Sequence, residues 1–498
     1  MSNQWPSPFQ PVSPPPPPPP PPAPAAESSR GIKLVVGGLA AALLVVVGLI
    51  AAYVFVGGGP APTATPTQVA AASTPPATAT PSPTAESTFT SSPATSTAPP
   101  TNTQAPATTP TATANSDEAA QVQAVMQQVP QIRELDALRD TPFQIVSRDQ
   151  FRQDLAELLE TQGDPDLLAA QQRLWQRLGL LPDDADLQQM FIDLNGSGAL
   201  AYYRFDTQTM YVIENGTPFD AAERFYVSHE YTHALQDQHF QVGANRITDT
   251  SEGDAAMAQL SVAEGDASVV MSLWASQYLT LAEQIQVGLE AFGSTDQELL
   301  ASMPPILQRQ LSFPYAEGLT FANSLKQSGG WAAVNEALQV PPPSTEQILH
   351  PEKYTAHEAP IDVALADPTA DLGGGGWQQT YIDTFGEVNM QMFVAGADQP
   401  DIVIPGLPVD WPHAEVAAGW GGDRIAMWER DESGSWAIAW RTAWDTKPDA
   451  DEFAARATAL QSTLDGVSKV VRISDTEVLL LMASAEPTLQ ELESALTK

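Results

Sequence analysis

The sequence predicts an α+β fold attached to a membrane by a single N-terminal transmembrane helix, and three observations predict it. After residue 117, apolar residues at helical spacing alternate with short runs of aromatic and β-branched residues. The helix predicted over 219–240 carries two histidines four residues apart, directly after a predicted β-hairpin. Residues 34–56 form an uncharged apolar run of 23 residues, long enough to cross a bilayer as a helix.

The first 116 residues lack the apolar surface that a folded core needs. Residues 1–33 include an unbroken proline run and are predicted to form a proline-rich cytoplasmic tail. Residues 34–57 are assigned to the transmembrane helix. Residues 58–116, almost entirely Thr, Pro, Ser and Ala, are assigned to a disordered stalk. The membrane is therefore an expected partner, through this one helix.

The orientation follows from the basic residues that flank the apolar run. Arg30 and Lys33 precede it, and no basic residue follows for a long stretch. The positive-inside bias therefore places the N-terminus in the cytoplasm and the folded part on the outer side of the cell membrane. A cleaved signal peptide is the alternative, but its apolar region usually spans only about 7–15 residues.

The charge and the absence of cysteine restrict the chemistry of this chain. Its formal net charge is −38, and it has no cysteine. Such an acidic surface repels nucleic acid, so no nucleic-acid partner is expected. Without thiolates, any metal must be held by histidine and carboxylate side chains. The sequence leaves the oligomeric state open.

The folded part is predicted to begin near Asp117 and to comprise two regions, 117–375 and 376–498. In the first region, a hairpin at 199–214 leads into the helix at 219–240, where Asp220 and Glu223 fit a capping box. The other helices predicted in this region cover 118–139, 148–160, 164–178 and 251–279.

The C-terminal region is predicted to form a ββαββα segment packed on the first region. Its elements are strands at 424–430 and 436–444, a helix at 449–464, strands at 469–473 and 477–482, and a helix at 488–496. Residues 419–424 (G-W-G-G-D-R) lack the strand-then-helix context of a phosphate-binding loop. They are predicted to form a tight turn in which Asp423 and Arg424 are structural.

The most specific motif is His229-Glu230-Tyr231-Thr232-His233. Histidines at i and i+4 lie on one face of a helix, so both rings can reach one metal ion. Glu230 is then placed to act as a general base that takes a proton from metal-bound water. The alternative is a histidine pair whose hydrogen bonds are satisfied within a core helix.

Through H-E-Y-T-H and its uncharged flanks, the chain resembles the zincin metallopeptidases. More narrowly, H-E-Y-T-H-A-L-Q-D-Q-H-F is similar to a group of uncharacterised prokaryotic envelope proteins that carry H-E-x-x-H-A-L-Q-D-Q. The resemblance implies a zincin-like core over 117–375, in which the upstream hairpin provides the edge strand that pairs with substrate. It also implies a Zn²⁺ cofactor and a peptide or protein substrate.

Glu264 is the predicted third zinc ligand. Catalytic zinc takes three protein ligands and leaves a fourth position open. Glu264 lies among mostly apolar residues of the helix at 251–279, where a carboxylate is costly unless it is paired or metal-bound. It follows His233 by 31 residues, which resembles the gluzincins, in which a glutamate is the third ligand.

The chain departs from the gluzincin pattern E-x-x-x-D, because position 268 is Ser. The carboxylate that usually orients the first histidine is therefore unassigned. Asp254 and Asp266 are the candidates. Asp266, two residues beyond Glu264, is expected to point elsewhere on a regular helix.

His239 is the competing third ligand. It follows His229 by ten residues, the spacing of the metzincin motif H-E-x-x-H-x-x-G-x-x-H. That motif needs the helix to break at its glycine, where this chain has Gln236 and no helix breaker nearby. On a continuing helix, His239 would be rotated roughly 100° from the midpoint of the other two histidines. Glu264 is therefore preferred.

His350 and Tyr354, in the proline-bounded segment 347–354, are candidate catalytic residues. A zincin needs a donor for the oxyanion of the tetrahedral intermediate, and a histidine or tyrosine can serve. The alternative is that both side chains only pack within their loop. Together these features predict a membrane-anchored, zinc-dependent peptidase. A catalytically silent envelope binding or structural protein on the same scaffold, and a hydrolase of a non-peptide bond, are the alternatives.

Overall fold

The computed structural model describes residues 116–497, apart from 155–163, 191–199, 215–218, 248, 293–298, 300–301, 401–409 and 431–433. The predicted tail and transmembrane helix, and all but the last residue of the predicted stalk, lie outside the described residues. Within the described ranges, no helix combines the length and the apolar character that a membrane span needs.

The described chain has a mixed α+β structure, which confirms the predicted class. In chain order its elements are α1 (Ser116–Arg133), β1 (Phe143–Ser147), α2 (Pro165–Arg177), β2 (Ala201–Arg204), β3 (Thr209–Glu214), α3 (Ala221–Phe240), α4 (Gly253–Tyr278), α5 (Leu281–Phe292), α6 (Pro305–Gln339), α7 (Thr345–Leu349), α8 (Pro351–Thr355), β4 (Gln378–Asp383), α9 (Gly386–Ala395), α10 (Ala414–Ala417), β5 (Trp420–Arg430), β6 (Ser435–Trp444), α11 (Lys447–Leu460), β7 (Val467–Arg472), β8 (Glu477–Ala483) and α12 (Glu486–Leu496). Residues 148–154 are also helical.

The helix that carries the histidine pair begins and ends where its capping residues dictate. Asp220 and Glu223 form the predicted capping box, which satisfies free N–H groups at the start of α3. Gln241 ends the helix in a left-handed conformation with φ 54°. Nearly every side chain of α3 is buried, so this helix lies inside the protein rather than on its surface.

A small sheet lies beside α3. Strands β2 and β3 form the predicted antiparallel hairpin, with Tyr203 opposite Met210. The strand order is β1-β3-β2, so β2 is an edge strand. The parallel strand β1 was not predicted. It follows α1, which ends at Arg133 rather than at residue 139, because the chain after Glu134 (φ 58°) makes hydrogen bonds to α3 instead of continuing the helix.

Helices α4 and α6 cross with their backbones in close contact. A Cβ atom added to Gly265 would lie 2.1 Å from the carbonyl oxygen of Gly318. One added to Gly318 would lie 2.2 Å from the carbonyl oxygen of Ser261. Only glycine permits this approach, which fixes the position of α4 next to Glu264.

The C-terminal region is a five-stranded antiparallel sheet of order β4-β5-β6-β8-β7. Its last four strands and two helices follow the predicted ββαββα order, and β4 is an additional edge strand. Alternate residues of β6 and β8 face opposite sides. Ile438 and Trp440 join the main core with α9 and α11, whereas Ala437 and Ala439 belong to a second cluster that includes Leu489 and Leu492 of α12.

Three buried aspartates near the junction of this sheet and the helices accept hydrogen bonds at helix N-termini. Asp383 accepts from Gly253 N at the start of α4, at 2.7 Å. Asp423 accepts from Gly386 N at the start of α9, at 2.9 Å, and from two indole N–H groups. Asp254 accepts from Thr345 N and Oγ1 at the start of α7. Asp423 is therefore structural, as predicted, but it lies within β5 rather than in a turn.

The crossing of α4 and α6 yields a prediction about stability. We expect Gly318→Ala to lower the free energy of unfolding by about 1–3 kcal/mol, because the added methyl group meets the Ser261 carbonyl. Gly288→Ala in α5 is the matched control, since a Cβ atom there has no neighbour within 4 Å. That change should be neutral or stabilise by up to about 1 kcal/mol. Chemical denaturation measures both, and equal effects would contradict the close-packing argument.

The aspartate junction yields a prediction about pH. Burial raises the pKa of Asp383 to about 7, so its carboxyl binds a proton more tightly in the folded than in the unfolded chain. This group therefore stabilises the fold fully below pH ~4, and its contribution, at most about 4 kcal/mol, is lost as the pH rises through 7.

We accordingly expect Asp383→Asn to flatten the fall in unfolding free energy between pH ~4 and ~7. Burial also raises the pKa of Asp254 and of Asp423, so part of the slope should remain in this variant. Urea denaturation at a series of pH values measures the difference. Parallel curves for variant and wild type would refute the assignment to Asp383.

Candidate metal centre

The structure brings together His229, His233 and Glu264. His229 Nε2 lies 3.1 Å from His233 Nε2 and 3.1 Å from Glu264 Oε2. His233 Nε2 lies 3.4 Å from the same carboxylate oxygen. The two histidines come from one face of α3, and the glutamate comes from α4, which packs beside it. All three side chains are buried.

This arrangement fits a tetrahedral zinc ion. Zinc–ligand bonds of about 2.0–2.1 Å at tetrahedral angles separate neighbouring ligand atoms by roughly 3.3 Å. The three observed separations, 3.1, 3.1 and 3.4 Å, have this size. Two imidazoles and one carboxylate are also a known donor set for zinc at a catalytic site. The residues present therefore fit the predicted cofactor.

The three groups shift one another's pKa values. Burial lowers the pKa of His229, which favours its neutral form, the form that can bind a metal. For His233, burial acts in the same direction, but the charge of Glu264 outweighs it and raises the pKa to about 9. For Glu264, burial opposes ionisation, but the two histidines lower its pKa to about 2. The carboxylate is thus ionised and directed at both rings.

Glu230 is anchored to the edge strand β2. Its Oε2 accepts a hydrogen bond from Tyr203 N at 2.9 Å, and burial raises its pKa to about 8. In the hairpin, every second residue on the β2 side is hydrogen-bonded to β3, and Leu200 is one of them, since its carbonyl oxygen accepts from Ile213 N. Tyr203 is three residues further along, so its N–H group points away from β3. The motif glutamate therefore lies at the free edge of the hairpin.

The residues after the motif, Gln236-Asp237-Gln238, make hydrogen bonds to His233, to the hairpin and to the segment after α1. Gln236 Oε1 lies 2.9 Å from His233 Nδ1. Asp237 accepts hydrogen bonds from Arg139 and from the hydroxyl of Tyr203, and so holds the hairpin. Gln238 accepts from the backbone of residues 138 and 139, and its amide donates to Thr141.

Neither candidate for orienting the first histidine contacts it. Asp254 bonds to Thr345 instead, and Asp266 accepts from Gln236 Nε2 at 2.9 Å. Among the described residues, His229 Nδ1 has no hydrogen-bond partner, and neither has the hydroxyl of Ser268, although both are buried. Ser268 stands where the gluzincin pattern has aspartate. A hydrogen bond that orients the ring is therefore present for His233 and not for His229.

His239, the competing ligand, points away from the pair. Its Nε2 lies 2.7 Å from the carbonyl oxygen of Asp136, in the segment after α1. The helix continues past Gln236 to Phe240 without a break, so His239 cannot reach the face that carries His229 and His233. Of the two alternatives, the structure brings Glu264 to the histidine pair.

His350 and Tyr354 have partners elsewhere. His350 Nε2 lies 3.1 Å from Glu387 Oε2, and this pairing raises the pKa of His350. The hydroxyl of Tyr354 donates to the carbonyl oxygen of Val340 at 3.1 Å. Within the described ranges, no hydrogen bond or ion pair joins either residue to the three candidate ligands. Their catalytic role stays a prediction from the sequence.

Arg246 is a cation near the site that the sequence analysis missed. Its guanidinium lies 5.6 Å from the ring centroid of Phe205, and the ring of Phe205 lies 6.3 Å from that of His233. Burial lowers the pKa of Arg246, while the charge of Glu264 acts in the opposite direction. The residue lies in a loop between α3 and α4 and carries no motif, so no sequence pattern singles it out.

A second group of carboxylates could in principle hold a cation, but a lysine already occupies it. Glu346, Glu358 and Asp445 offer oxygens within 4.8 Å of one another. The ammonium of Lys353 lies 2.5, 2.9 and 2.7 Å from them, respectively. This cluster is therefore a network of ion pairs around Lys353, with Glu346 buried and the other two carboxylates exposed.

Comparison with known proteins gives limited information about this chain. Residues 378–487, which include the C-terminal sheet, match a family described as a domain of unknown function (DUF8575). Among curated proteins, no match is found. A crystal structure from Chloroflexus aurantiacus, described as "a putative hydrolase with a novel fold", is 13% identical to this chain, with a TM-score of 0.32. The alignment covers 48% of this chain and 88% of that one, and the similarity is too weak to assign a fold.

Proposed function

We propose that this protein is a membrane-anchored, zinc-dependent peptidase with a zincin-like core of the gluzincin type. The observation that carries the proposal is the placement of two imidazoles and one carboxylate at the separations of a tetrahedral zinc site, with the motif glutamate beside them. His229, His233 and Glu264 would hold the ion. Bound zinc supplies a Lewis acid that acidifies water and polarises a carbonyl group.

Glu230 is the general base of the proposed reaction. Its carboxylate takes one proton from the attacking water as the new carbon–oxygen bond forms, and gives it to the leaving amine as the carbon–nitrogen bond breaks. The Tyr203 N–H group holds this carboxylate by one oxygen, Oε2. Oε1 is left for the water.

The edge strand β2 supports a peptide substrate over other ester- or amide-containing molecules. A strand at the edge of a sheet offers backbone N–H and C=O groups that can pair with an extended peptide. Strand β2 is an edge strand whose residues Ala201, Tyr202 and Tyr203 are buried, and its Tyr203 N–H group is bonded to Glu230, which leaves the other outward-facing backbone groups of the strand for a substrate. An extended chain aligned along β2 would thus pass beside the general base.

The membrane anchor and the outward orientation of the peptidase belong to the proposal through the sequence alone. The apolar run at 34–56, preceded by Arg30 and Lys33, supports an N-terminus in the cytoplasm. The Thr- and Pro-rich stalk would hold the folded part away from the membrane, where peptide or protein substrates are accessible.

Metal content tests the ligand assignment. We expect the purified full-length chain to bind one zinc ion, and His229→Ala or Glu264→Ala to lose it, because each change removes one of three ligands. His239→Ala is the control: it removes a histidine of the same helix that bonds to the Asp136 carbonyl, and should leave the zinc content unchanged. Elemental analysis after dialysis measures all four proteins. Loss of zinc in His239→Ala alone would reverse the assignment.

Replacing the general base tests the chemistry. We expect Glu230→Gln to retain zinc while peptide hydrolysis falls by about 10²–10⁴-fold, because glutamine cannot accept the proton. Turnover of a peptide library, monitored by mass spectrometry, measures the effect. Equal turnover by variant and wild type would exclude the assigned role. Stoichiometric zinc without turnover of any peptide by the wild type would favour the silent scaffold instead.

A further inference from the structure

The polar residues behind His233 form a series of hydrogen bonds that ends in an ion pair. His233 Nδ1 lies 2.9 Å from Gln236 Oε1. The amide nitrogen of Gln236 donates to Asp266 Oδ2 and to the carbonyl oxygen of Ala263, each at 2.9 Å. Asp266 Oδ1 in turn lies 2.7 Å from Arg133 Nε. All of these side chains are buried.

These hydrogen bonds determine which way the Gln236 amide faces. Its two neighbours on one side, the Asp266 carboxylate and the Ala263 carbonyl, can only accept hydrogen bonds. A flipped amide would place its oxygen 2.9 Å from both acceptors, and buried acceptor–acceptor contacts are strongly unfavourable. The NH₂ group must therefore face Asp266, and the amide oxygen must face His233.

The amide orientation fixes the proton of His233. Because Gln236 Oε1 can only accept, His233 Nδ1 must carry the proton and donate it. The lone pair of the neutral ring is then on Nε2, the nitrogen that lies near His229 and Glu264. A histidine binds a metal through its unprotonated nitrogen, so this is the tautomer that a ligand at that position requires.

Arg133 completes this series and balances its charge. Its ion pair with Asp266 is fully buried, its Nη2 donates to Asn335 at 2.6 Å, and its guanidinium lies 4.4 Å from the ring centroid of Trp331. The negative charge of Asp266 is thereby neutralised within the protein. Together these contacts link four helices, α3, α4, α1 and α6, on the Nδ1 side of the His233 ring.

We propose that Gln236, Asp266 and Arg133 are positioning residues that hold His233 in its metal-binding tautomer and orientation. An amide contributed by the same helix, backed by a buried ion pair, takes the place of a carboxylate in direct contact with the ring. This inference rests on the proposed function, because it concerns a ligand of the proposed zinc site. It also explains why position 236, one turn after the motif, is a buried glutamine.

Zinc affinity of the full-length chain, measured by competition with a chromogenic chelator, provides the first test. We expect Gln236→Leu to weaken zinc binding by about 10–100-fold, the usual effect of removing an outer-shell partner of a ligand. Gln238→Leu is the matched control, because it removes a buried glutamine from the same helix, with three hydrogen bonds and none to His233. That variant should bind zinc like the wild type.

A charge-exchanging double variant separates positioning from packing. In Gln236→Glu combined with Asp266→Asn, a carboxylate oxygen still accepts from His233 Nδ1, and the new amide donates to it. The net charge is unchanged, but the second carboxylate oxygen of Glu at position 236 would face the Ala263 carbonyl oxygen, so this variant should recover only part of the affinity lost in Gln236→Leu. Equal zinc affinity in Gln236→Leu and the wild type would overturn the proposal, and so would equal losses in the two leucine variants.

A direct readout of the His233 proton does not depend on zinc. In the metal-free chain with ¹⁵N-labelled histidine, at a pH where the His233 ring is neutral and carries a single proton, nitrogen–proton correlation spectra should show that proton on Nδ1, assigned with His233→Gln. A bare Nδ1 would overturn the inference even if zinc binds. A wild-type chain that binds no zinc but shows the Nδ1 proton would refute the proposed function and leave the role of Gln236 in orienting the ring supported.

Discussion

The contact among His229, His233 and Glu264 is the interaction on which the surrounding structure depends. An ionised carboxylate in a dry crossing of two helices costs several kcal/mol unless opposite charge and hydrogen bonds compensate it. Here the compensation comes from two ring nitrogens at 3.1 and 3.4 Å. The backbones of α4 and α6 are in contact at Gly265 and Gly318, which leaves α4 little freedom to shift and so holds Glu264 in place.

The C-terminal sheet contributes to the same geometry from the other end of α4. Asp383 accepts from Gly253 N, the first residue of that helix, and Arg424 donates to the carbonyl oxygen of Ser251 just before it. The first turn of α4 is thus attached to strands β4 and β5. Glu264 is three turns further along this helix, so a rotation of the attached end would displace its carboxylate. The sheet therefore helps to fix the position of Glu264 through the start of α4.

The sequence predicted the parts of the structure that depend on local periodicity. The spacing of His229 and His233, the capping box at Asp220 and the strand predicted over 436–444 follow from neighbours along the chain, and all are present. Glu264 could be selected because a carboxylate among apolar residues requires a partner. The hydrogen bond from Gln236 to Asp266 could not be predicted. It depends on how α3 and α4 cross and on which face of α4 is turned toward α3, and the sequence of α4 does not indicate that face. The same applies to β1 and β4, whose partners are distant in sequence, and to Glu387, which engages His350.

The contact of a neutral amide, and not of a carboxylate, with His233 has a consequence for the charge at the proposed metal site. A carboxylate in contact with a ligand imidazole increases the basicity of the ring and adds a negative charge near the metal. In this chain a neutral amide contacts His233, and the charge of Asp266 is balanced by Arg133. Of the three proposed ligands, Glu264 alone would carry a net charge, so a bound divalent cation would retain a net charge of about +1 among them. More positive surroundings stabilise the developing negative charge of an oxyanion more strongly, which makes the lack of a hydrogen bond or ion pair between His350 or Tyr354 and the three proposed ligands compatible with hydrolysis.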